Sequence, residues 1–586
     1  MAFDNNKLGE LRPNQIITTF GPGSIVDAVK DSVTVLDTNY WKEKGTKIID
    51  GRLASYLGVD CFYMPRTSYG GDIPVVSFPY VHVCSKCGRL FDVRDNFDLD
   101  LYLQKGVNCP DCGWQAYPSR FITVCEDGHM DDFPWRWWVH KGDTKCKGAL
   151  RLYSIGNTST LADMWVECTD PNCKAKRSLS GAMQKDSFEG CSCSGRHPFR
   201  PHTKKAKCGK PVIPSQRGAS NVYFSVSRSA ISIPPWINPL YNLLDEHLRL
   251  IIDYKEDWGE EGVTKVYNKY FADRYSREEF DVALEKRLSN IKEFTEIKQM
   301  EYDAITHHAD PAYESNKKHF KAEEDPLPAP LQKYFKRVVR ITRLREVKVL
   351  IGFTRVDASD PDADADDQPN IVTISKGKGE KWLPAAVVNG EGIFIEFNRE
   401  TIGQWLQVGT VNAISKQYEE SYREFCNQKK WTVNILRNAV YVLMHTFSHL
   451  LIKQMAMSSG YSSAAIRERI YFGDSMSGIL LYTGSADKEG SLGGLVELGN
   501  IDKLVTLMRD AFQEALLCTN DPECMNSLPA GDNSNGAACH SCCMISETAC
   551  ENGNRMLDRG LVVPIAGREE QSYFKDLVAE LCQLEI

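Results

Sequence analysis

Residues 518–550 read CTNDPECMNSLPAGDNSNGAACHSCCMISETAC and bring six cysteines into one short stretch. A Cys-x-x-Cys pair can bind one metal ion because the turn between the two residues brings both sulfurs to the same side, and two further cysteines complete a tetrahedron. We therefore predict a structural zinc site here. Its expected ligands are Cys539, Cys542 and Cys550, with Cys524 or Cys518 as the fourth, while Cys543 points away from Cys542.

This predicted site is closed, because four thiolates leave no position for a reacting water, so it should stabilise the fold and not catalyse. The alternative is a set of reduced or disulfide-bonded cysteines, which is less common than metal binding for such a cluster in a reducing compartment. The surrounding residues 431–586 combine an apolar helix, a Gly-rich turn and these cysteines. They are predicted to form a mixed α/β C-terminal cysteine domain.

A second cysteine pattern lies in the first quarter of the chain, where two Cys-x-x-Cys pairs are each followed by glycine. Two short hairpin turns that face one ion form a zinc ribbon, and this spacing is rarely accidental. The expected ligands are Cys84, Cys87, Cys109 and Cys112.

Downstream residues supply the ligands for further metal sites. One possible set is Cys125, His129, His140 and Cys146, although histidines among tryptophans are often core residues with satisfied ring nitrogens. The preferred second set is Cys168, Cys173, Cys193 and Cys208, with Cys191 as a fifth sulfur nearby. At four ligands per ion, the chain is expected to bind about three to four Zn²⁺ ions.

Composition narrows the class of protein. The chain has 586 residues, 42% hydrophobic and 25% charged, which predicts several domains of an ordinary soluble protein. No apolar run is long enough to cross a bilayer and the start lacks the apolar core of a signal peptide, so we expect a cytoplasmic protein without membrane contact. Twenty cysteines in that compartment favour zinc over disulfides.

The net charge of −8 excludes a polycationic nucleic-acid binder, so any contact with DNA must use a local basic surface or a partner. Two basic segments are candidates, and a solvated rim of a zinc module is the alternative interpretation of the first. They contain Lys204, Lys205 and Lys207 in the loop before Cys208, and Arg337, Arg340 and Arg343 in a predicted strand with one cationic face.

The remaining patterns define the predicted architecture, a multidomain α+β fold stapled by zinc. The expected divisions are an N-terminal segment 1–80, zinc-binding modules 81–215, a helical region 216–335, a strand-rich region with an acidic loop 336–430, and the C-terminal cysteine domain 431–586. Within the last, residues 440–452 predict a buried helix carrying His445 and His449 on one face. The pair lacks the glutamate of HExxH, which favours buried hydrogen-bonded histidines over zinc ligands.

No GxxxxGK[ST] nucleotide-binding loop occurs in the sequence, so we expect no motor activity from this chain and place catalysis on another chain. Two alternatives stay open. One is a zinc-dependent DNA hydrolase or nuclease that uses His445, His449 or His129 with an acid such as Asp131, and the other is a purely structural scaffold without DNA contact.

The order of several motifs resembles the DrmB family. These motifs are Arg12-x-x-Gln15, Phe20-Gly-Pro-Gly23, His445-Thr-Phe-Ser-His449, Arg467-Glu-Arg-Ile-Tyr471, Leu557-Asp-Arg559 and the cysteine pattern of 518–542. The family provides a subunit of the bacterial DISARM antiviral defence system, with a C-terminal four-cysteine domain that is shared with Mrf-type repair helicases. The resemblance implies a hetero-complex with DrmA, a separate helicase, in which the two chains together engage phage DNA and spare methylated host DNA. Mrf-type helicases carry this domain beside their motor, so a split version should dock onto one.

Overall fold

A computed structural model describes the chain from residue 8 to residue 583. The ranges outside the description within these limits are 29–30, 67–71, 96–105, 157–159, 185, 290, 311–312, 314–318, 360–369, 378, 434, 486–493 and 531–532. Most of the predicted acidic loop after Asp357 therefore lies outside the described residues.

Strands β1–β15 belong to the first 216 residues. They are β1 Ile25–Asp27, β2 Ser32–Val35, β3 Thr46–Ile48, β4 Cys61–Met64, β5 Val75–Ser77, β6 Val81–Cys84, β7 Arg89–Asp92, β8 Val107–Asn108, β9 Gln115–Pro118, β10 Phe121–Val124, β11 Met130–Asp132, β12 Leu150–Ser154, β13 Met164–Cys168, β14 Lys176–Ser178 and β15 Ile213–Gln216. The later strands are β16 Phe224–Ile231, β17 Lys321–Glu324, β18 Phe335–Thr354, β19 Val372–Thr373, β20 Trp382–Phe397, β21 Ile466–Phe472 and β22 Ser477–Ser485. They include the two longest among the described residues, β18 and β20.

The α-helices lie mostly in the second half of the chain. They are α1 Pro13–Thr18, α2 Gly51–Leu57, α3 Trp135–His140, α4 Pro239–Tyr270, α5 Arg277–Leu288, α6 Phe294–Thr306, α7 Ala329–Gln332, α8 Arg399–Leu406, α9 Gly409–Lys429, α10 Ala439–Ser459, α11 Ile501–Leu516 and α12 Lys575–Cys582. Helix α4 is interrupted at Gly259, whose φ of 57° and ψ of −141° are not helical. The mixture of helices and strands confirms the α+β class.

A nine-stranded sheet forms the centre of the fold. Its main order is β16-β18-β20-β22-β21, and β17, β19, β4 and β3 join at the sides. Strands β18 and β20 pair antiparallel from Phe335 opposite Phe397 to Val349 opposite Ala385. The sheet therefore joins residues from the predicted regions 216–335, 336–430 and 431–586, and the expected boundaries at 335 and 430 fall within one hydrogen-bonded structure. The division into domains stays a prediction.

The predicted helical region 216–335 contains α4, α5 and α6, as its amphipathic pattern indicates, but it also contributes β16 and β17 to the central sheet. The region thus contains strands at both of its ends beside the expected helices. Period-2 burial in Phe224–Ile231 is the signal for the first of these strands, since alternate side chains there are buried.

The zinc-module region is built differently, from a seven-stranded sheet of short strands. Its order is β14-β13-β12-β7-β6-β9-β8. A separate three-stranded sheet, β11-β10-β15, connects this region to the start of the central sheet through residue 224. These two sheets and helix α3 position the candidate metal ligands from Cys84 to Cys208.

Helix α10 is the buried helix that the apolar pattern predicts. All residues from Ala439 to Ile452 are buried, because the helix lies between the central sheet and α11. Asn438 caps its first turn by accepting a hydrogen bond from the Val440 N–H at 2.9 Å, and Gly460 ends it in the left-handed region at φ 72°. Among the described residues, no helix has the length and apolarity that a bilayer crossing requires.

Candidate metal centres

The first cluster is formed by two hairpin turns that face each other. Cys84 ends β6 and Cys109 follows β8, and the pairing of β6 and β8 with β9 brings the two turns together. The sulfur atoms of Cys84 and Cys112 lie 3.5 Å apart and those of Cys87 and Cys109 lie 3.7 Å apart. Zinc–sulfur bonds of about 2.3 Å in a tetrahedron require sulfurs about 3.8 Å apart, so the donor set fits this ion.

Backbone N–H groups favour a thiolate in this cluster. The N–H groups of Lys86 and Cys87 both donate to Cys84 Sγ at 3.4 Å. Burial raises the pKa of Cys84, but these hydrogen bonds outweigh it and the pKa falls to about 7. Gly88 and Gly113 close the turns with φ of 69°, a left-handed conformation that favours glycine.

The second cluster combines residues that the sequence interpretation had divided between two sites. Cys125 Sγ lies 3.3 Å from His129 Nδ1, 3.6 Å from Cys193 Sγ and 4.0 Å from Cys208 Sγ. Cys125 and His129 belong to the turn between β10 and β11, whereas Cys208 arrives through β15, which pairs with β10. The cluster is therefore assembled by strand pairing across about 80 residues of chain.

The third cluster contains the other half of the two predicted sets. His140 Nε2 lies 3.2 Å from Cys173 Sγ, and the sulfurs of Cys146 and Cys168 lie 3.5 Å apart. Helix α3 carries His140 away from His129 and onto β13 and β14. The expected groupings Cys125–His129–His140–Cys146 and Cys168–Cys173–Cys193–Cys208 are thus wrong, although all eight residues lie in one cluster or the other.

The fourth cluster corrects the ligand set expected in the C-terminal domain. Both Cys518 and Cys524 belong to it, with Cys539 and Cys542, and Cys550 does not. Sulfur atoms are 3.4 Å apart for Cys518 and Cys539, and 3.7 Å apart for Cys524 and Cys542. Cys543 stays outside this group, but its side-chain hydrogen bond lowers the pKa of Cys542 to about 5.

The buried side chain of Arg559 fixes the backbone next to the fourth cluster. Its guanidinium donates to the backbone carbonyls of Ala515 at 2.8 Å and Leu516 at 3.0 Å, and forms an ion pair with Asp521. Asp521 in turn accepts from the Cys518 N–H at 2.9 Å. One arginine therefore ties the end of α11 to the turn that carries two of the cysteines.

A fifth group of potential ligands lies inside the C-terminal core and takes up Cys550. It contains His445, His449, Glu468 and Cys550, whose ligand atoms all lie within 4.8 Å of one another. Both histidines are fully buried, as expected, and each Nδ1 lies beside a backbone carbonyl. Sequence reasoning missed Glu468. Its signal was a glutamate two positions from Ile466 and from Ile470, which places it on the apolar face of a strand.

The two basic segments differ in how their charges are balanced. Lys204, Lys205 and Lys207 are exposed in the loop between Cys193 and Cys208. On β18, by contrast, Arg337 pairs with Glu396 at 2.7 Å and Arg340 pairs with Asp325 at 3.0 Å. Arg343 is exposed. The predicted strand is present, but the charges of Arg337 and Arg340 are partly neutralised by neighbouring acids.

Two family models match parts of the chain. Residues 12–224 match a domain of unknown function, DUF8724, and this range contains the first three clusters. Residues 447–543 match the MrfA Zn-binding domain, and this range contains all four cysteines of the fourth cluster. The four-ligand clusters and the zinc-binding match are together consistent with about three to four zinc ions.

A comparison over the whole chain gives the relationship directly. The sequence is 45% identical over 572 residues to the DISARM protein DrmB of Bacillus paralicheniformis, which covers 94% of this chain and 100% of that protein. The resemblance seen in the short motifs is thereby confirmed. This chain belongs to the DrmB family.

Proposed function

We propose that the protein is a non-motor accessory subunit of a DISARM antiphage defence complex, which binds a DrmA-type helicase and contributes to DNA engagement. The observation that carries this proposal is the full-length similarity to a protein named DISARM protein DrmB, at 45% identity. Similarity that extends over 94% of the chain supports a shared role for the whole molecule and not for one borrowed domain.

The lack of a GxxxxGK[ST] motif supports the proposed dependence on a helicase partner. The sequence contains no GxxxxGK[ST] loop to hold a nucleotide triphosphate. The C-terminal region nevertheless matches a zinc-binding domain named after MrfA. A chain with such a domain and no nucleotide loop of its own is suited to dock onto a helicase.

Zinc would have a structural role in this subunit. The proposed ligand sets are the four clusters Cys84–Cys87–Cys109–Cys112, Cys125–His129–Cys193–Cys208, His140–Cys146–Cys168–Cys173 and Cys518–Cys524–Cys539–Cys542. Each set supplies four protein ligands of the types that zinc prefers in structural sites. Such sites leave no open position for substrate, which is why we propose binding and not hydrolysis.

The loop with Lys204, Lys205 and Lys207 is the preferred DNA-facing surface. Its three ammonium groups are exposed, whereas Arg337 and Arg340 already pair with carboxylates. A phosphate that approached those arginines would have to displace an acid, so it would gain less. Each phosphate contact made by a free cation adds salt-dependent affinity.

The helicase partnership is tested by co-expression with a DrmA-type helicase and purification through a tag on that helicase. We expect the two chains to co-elute, ATP hydrolysis to require the helicase, and neither ATP hydrolysis nor DNA cleavage by the present chain alone. Failure to co-elute would contradict the proposed partnership. Cleavage by the purified chain would favour the hydrolase alternative.

The DNA surface is tested in the same complex with a K204A/K205A/K207A variant. We expect weaker DNA binding and a shallower dependence of affinity on salt, since up to three phosphate contacts are removed. A matched control replaces three exposed lysines elsewhere, K286A/K292A/K416A, which changes net charge equally. Equal affinity in the two variants would favour a scaffold without DNA contact at this loop.

A further inference from the structure

The fifth group of ligands joins three separate parts of the C-terminal core. His445 and His449 lie one turn apart on α10, Glu468 lies on β21, and Cys550 follows the fourth cluster. Glu468 Oε1 is 3.0 Å from His445 Nε2 and 3.3 Å from His449 Nε2, and these three side chains are 0% exposed. Cys550 Sγ is 3.2 Å from His445 Nε2.

The contacts of the Nδ1 atoms show which nitrogen of each imidazole faces the centre of the group. His445 Nδ1 lies 3.3 Å from the backbone oxygen of Met556, and His449 Nδ1 lies 2.9 Å from that of Cys543. A carbonyl oxygen only accepts hydrogen bonds, so each Nδ1 carries the proton. In a neutral ring each Nε2 then presents a lone pair to the centre of the group, which is the arrangement that metal-bound histidines adopt.

The other two donors are also oriented by the surrounding backbone. Glu468 Oε1 accepts from the Glu551 N–H at 3.1 Å, and the Ser448 hydroxyl donates to Glu468 Oε2. Cys550 Sγ accepts from the N–H groups of Asn552 at 3.3 Å and Asn554 at 3.1 Å. Hydrogen bonds of this kind favour the ionised form of the acceptor and fix its direction.

With Cys550 ionised, as metal binding requires, the centre of the group collects acceptors without a matching donor. Two nitrogen lone pairs, a carboxylate oxygen and a sulfur face one another in a space closed to water, an arrangement that costs free energy unless a cation lies between them. A carboxylate and a thiolate together carry two negative charges, which one divalent ion neutralises. The alternative, two buried imidazolium rings, would place protons on nitrogens in a space where charged groups are poorly solvated.

The spacing fits a small ion. Ligand bonds of about 2.0–2.3 Å in a tetrahedron require nitrogen, oxygen and sulfur atoms about 3.3–3.6 Å apart. The contacts of 3.0–3.3 Å lie within a few tenths of an ångström of that range. Imidazole, carboxylate and thiolate are together the donors of borderline metals, zinc above all.

We propose that His445, His449, Glu468 and Cys550 bind one further divalent ion of the zinc class, in a closed structural site at the centre of the C-terminal domain. The ion would join α10, β21 and the segment after the fourth cluster, and four protein ligands leave no coordination position for a substrate. The matched zinc-binding domain, 447–543, excludes His445 and Cys550. This ion site would exist whether or not the chain binds a helicase.

Metal stoichiometry tests this site. We expect elemental analysis of the full-length protein, expressed with zinc and purified without chelators, to give five zinc ions per chain. A C550S variant should lose one ion, and a C426A variant should keep all five, because Cys426 is a buried cysteine outside the five groups. Four ions in the wild type, or an unchanged count in C550S, would overturn the proposal.

A second measurement decides the question if C550S does not fold. Crystals of the wild-type protein measured at the zinc absorption edge should show an anomalous peak between His445 Nε2, Glu468 Oε1 and Cys550 Sγ, beside those at the four cysteine-rich clusters. Peaks at those four clusters with none at this position would refute the fifth site. That result would leave the helicase partnership untouched.

Discussion

The zinc-module sheet and the C-terminal core differ in how much of their stability comes from apolar packing. The zinc-module sheet has strands of two to five residues. Its first cluster includes the exposed Cys112, and nearby Trp114 is 55% exposed. The C-terminal core surrounds α10 with the largest group of buried side chains in the described residues. Short hairpins bury too little apolar surface to fold alone, so the first region depends mainly on its metal ligands, whereas the second adds extensive packing to its ligand groups.

The largest expected effect comes from removing a ligand in the zinc ribbon. A Cys109→Ser variant should lose one zinc ion per chain and the fold of β6–β9, since structural zinc contributes about 10–16 kcal/mol of binding free energy. Limited proteolysis should then cut within 81–118 and leave α10 protected. The control Cys582→Ser removes a cysteine outside the clusters. Resistance of residues 81–118 to proteolysis in Cys109→Ser would show that this region does not depend on its metal ligands.

A buried charge pair gives the next largest effect, in the packed region. Glu301 accepts from Arg469 Nε at 2.7 Å and from the Tyr471 hydroxyl at 3.1 Å. Glu301→Ala leaves the arginine charge buried without its partner and should lower the free energy of unfolding by about 3–5 kcal/mol. Chemical denaturation followed by circular dichroism measures this change.

The matched control for that variant is Glu323→Ala, which removes a carboxylate that is 39% exposed and lies beside Lys321 and Arg340. Its effect should stay below about 1 kcal/mol. Zinc content should be unchanged in both variants. Equal effects of the two substitutions would show that burial does not decide the strength of charge pairs here.

A buried leucine on α11 tests how much the C-terminal core depends on packing. Leu504 on α11 is fully buried within the core around α10, so Leu504→Ala should cost about 2–5 kcal/mol of unfolding free energy. Met457→Ala on α10 removes a side chain that is 67% exposed and should change stability by less than about 0.5 kcal/mol. A loss of zinc from the ribbon in Leu504→Ala would contradict the independence of the two regions.

The smallest effect concerns Asp132, which accepts the Val81 N–H at 2.9 Å and so connects β11 to β6. Burial, with the charges of Asp131 and Asp92, raises its pKa to about 7. The folded state thus favours the protonated acid, and its contribution to stability is full below the ordinary pKa of 3.8 and is lost as pH rises through about 7.

Asp132→Asn keeps the acceptor and removes the charge, so it should stabilise the protein more at pH 8 than at pH 6. The difference between the two pH values should be about 1 kcal/mol, because one unit of pKa shift corresponds to about 1.4 kcal/mol. Thermal unfolding at both pH values measures it. A gain that is larger at pH 6 would contradict the raised pKa of this carboxyl.

Local spacing predicts ligand identity well and ligand grouping poorly. Cys84 and Cys87, or Cys539 and Cys542, are joined by one turn, so the sequence alone places both sulfurs on one ion. His129 and His140 are close in sequence, yet α3 and the pairing of β10 with β15 send them to different clusters. Strand pairing depends on the whole sheet, so the spacing of the ligands along the chain does not predict it.

The same limit applies to charge and to the fifth group. The alternation in β18 correctly predicts a strand, but the acids that neutralise Arg340 come from β17 and the segment after it, about fifteen residues earlier in the chain. Cys550 follows the C-terminal cysteine pair closely, which suggested a shared ion. The backbone after Cys543 instead turns it toward Glu468 and His445.

The lysine-bearing loop has both of its ends, Cys193 and Cys208, in one cluster. An ion bound in this cluster would therefore hold the two ends of the loop together. Part of the segment between them is anchored as well, because Phe199 is buried against Phe353 and Arg200 pairs with Asp37 at 2.7 Å. Changes within the exposed residues 201–207 would alter the reach and charge of the loop and leave these contacts in place. Related proteins could vary at these exposed positions, which would let this surface adapt while the scaffold stays the same.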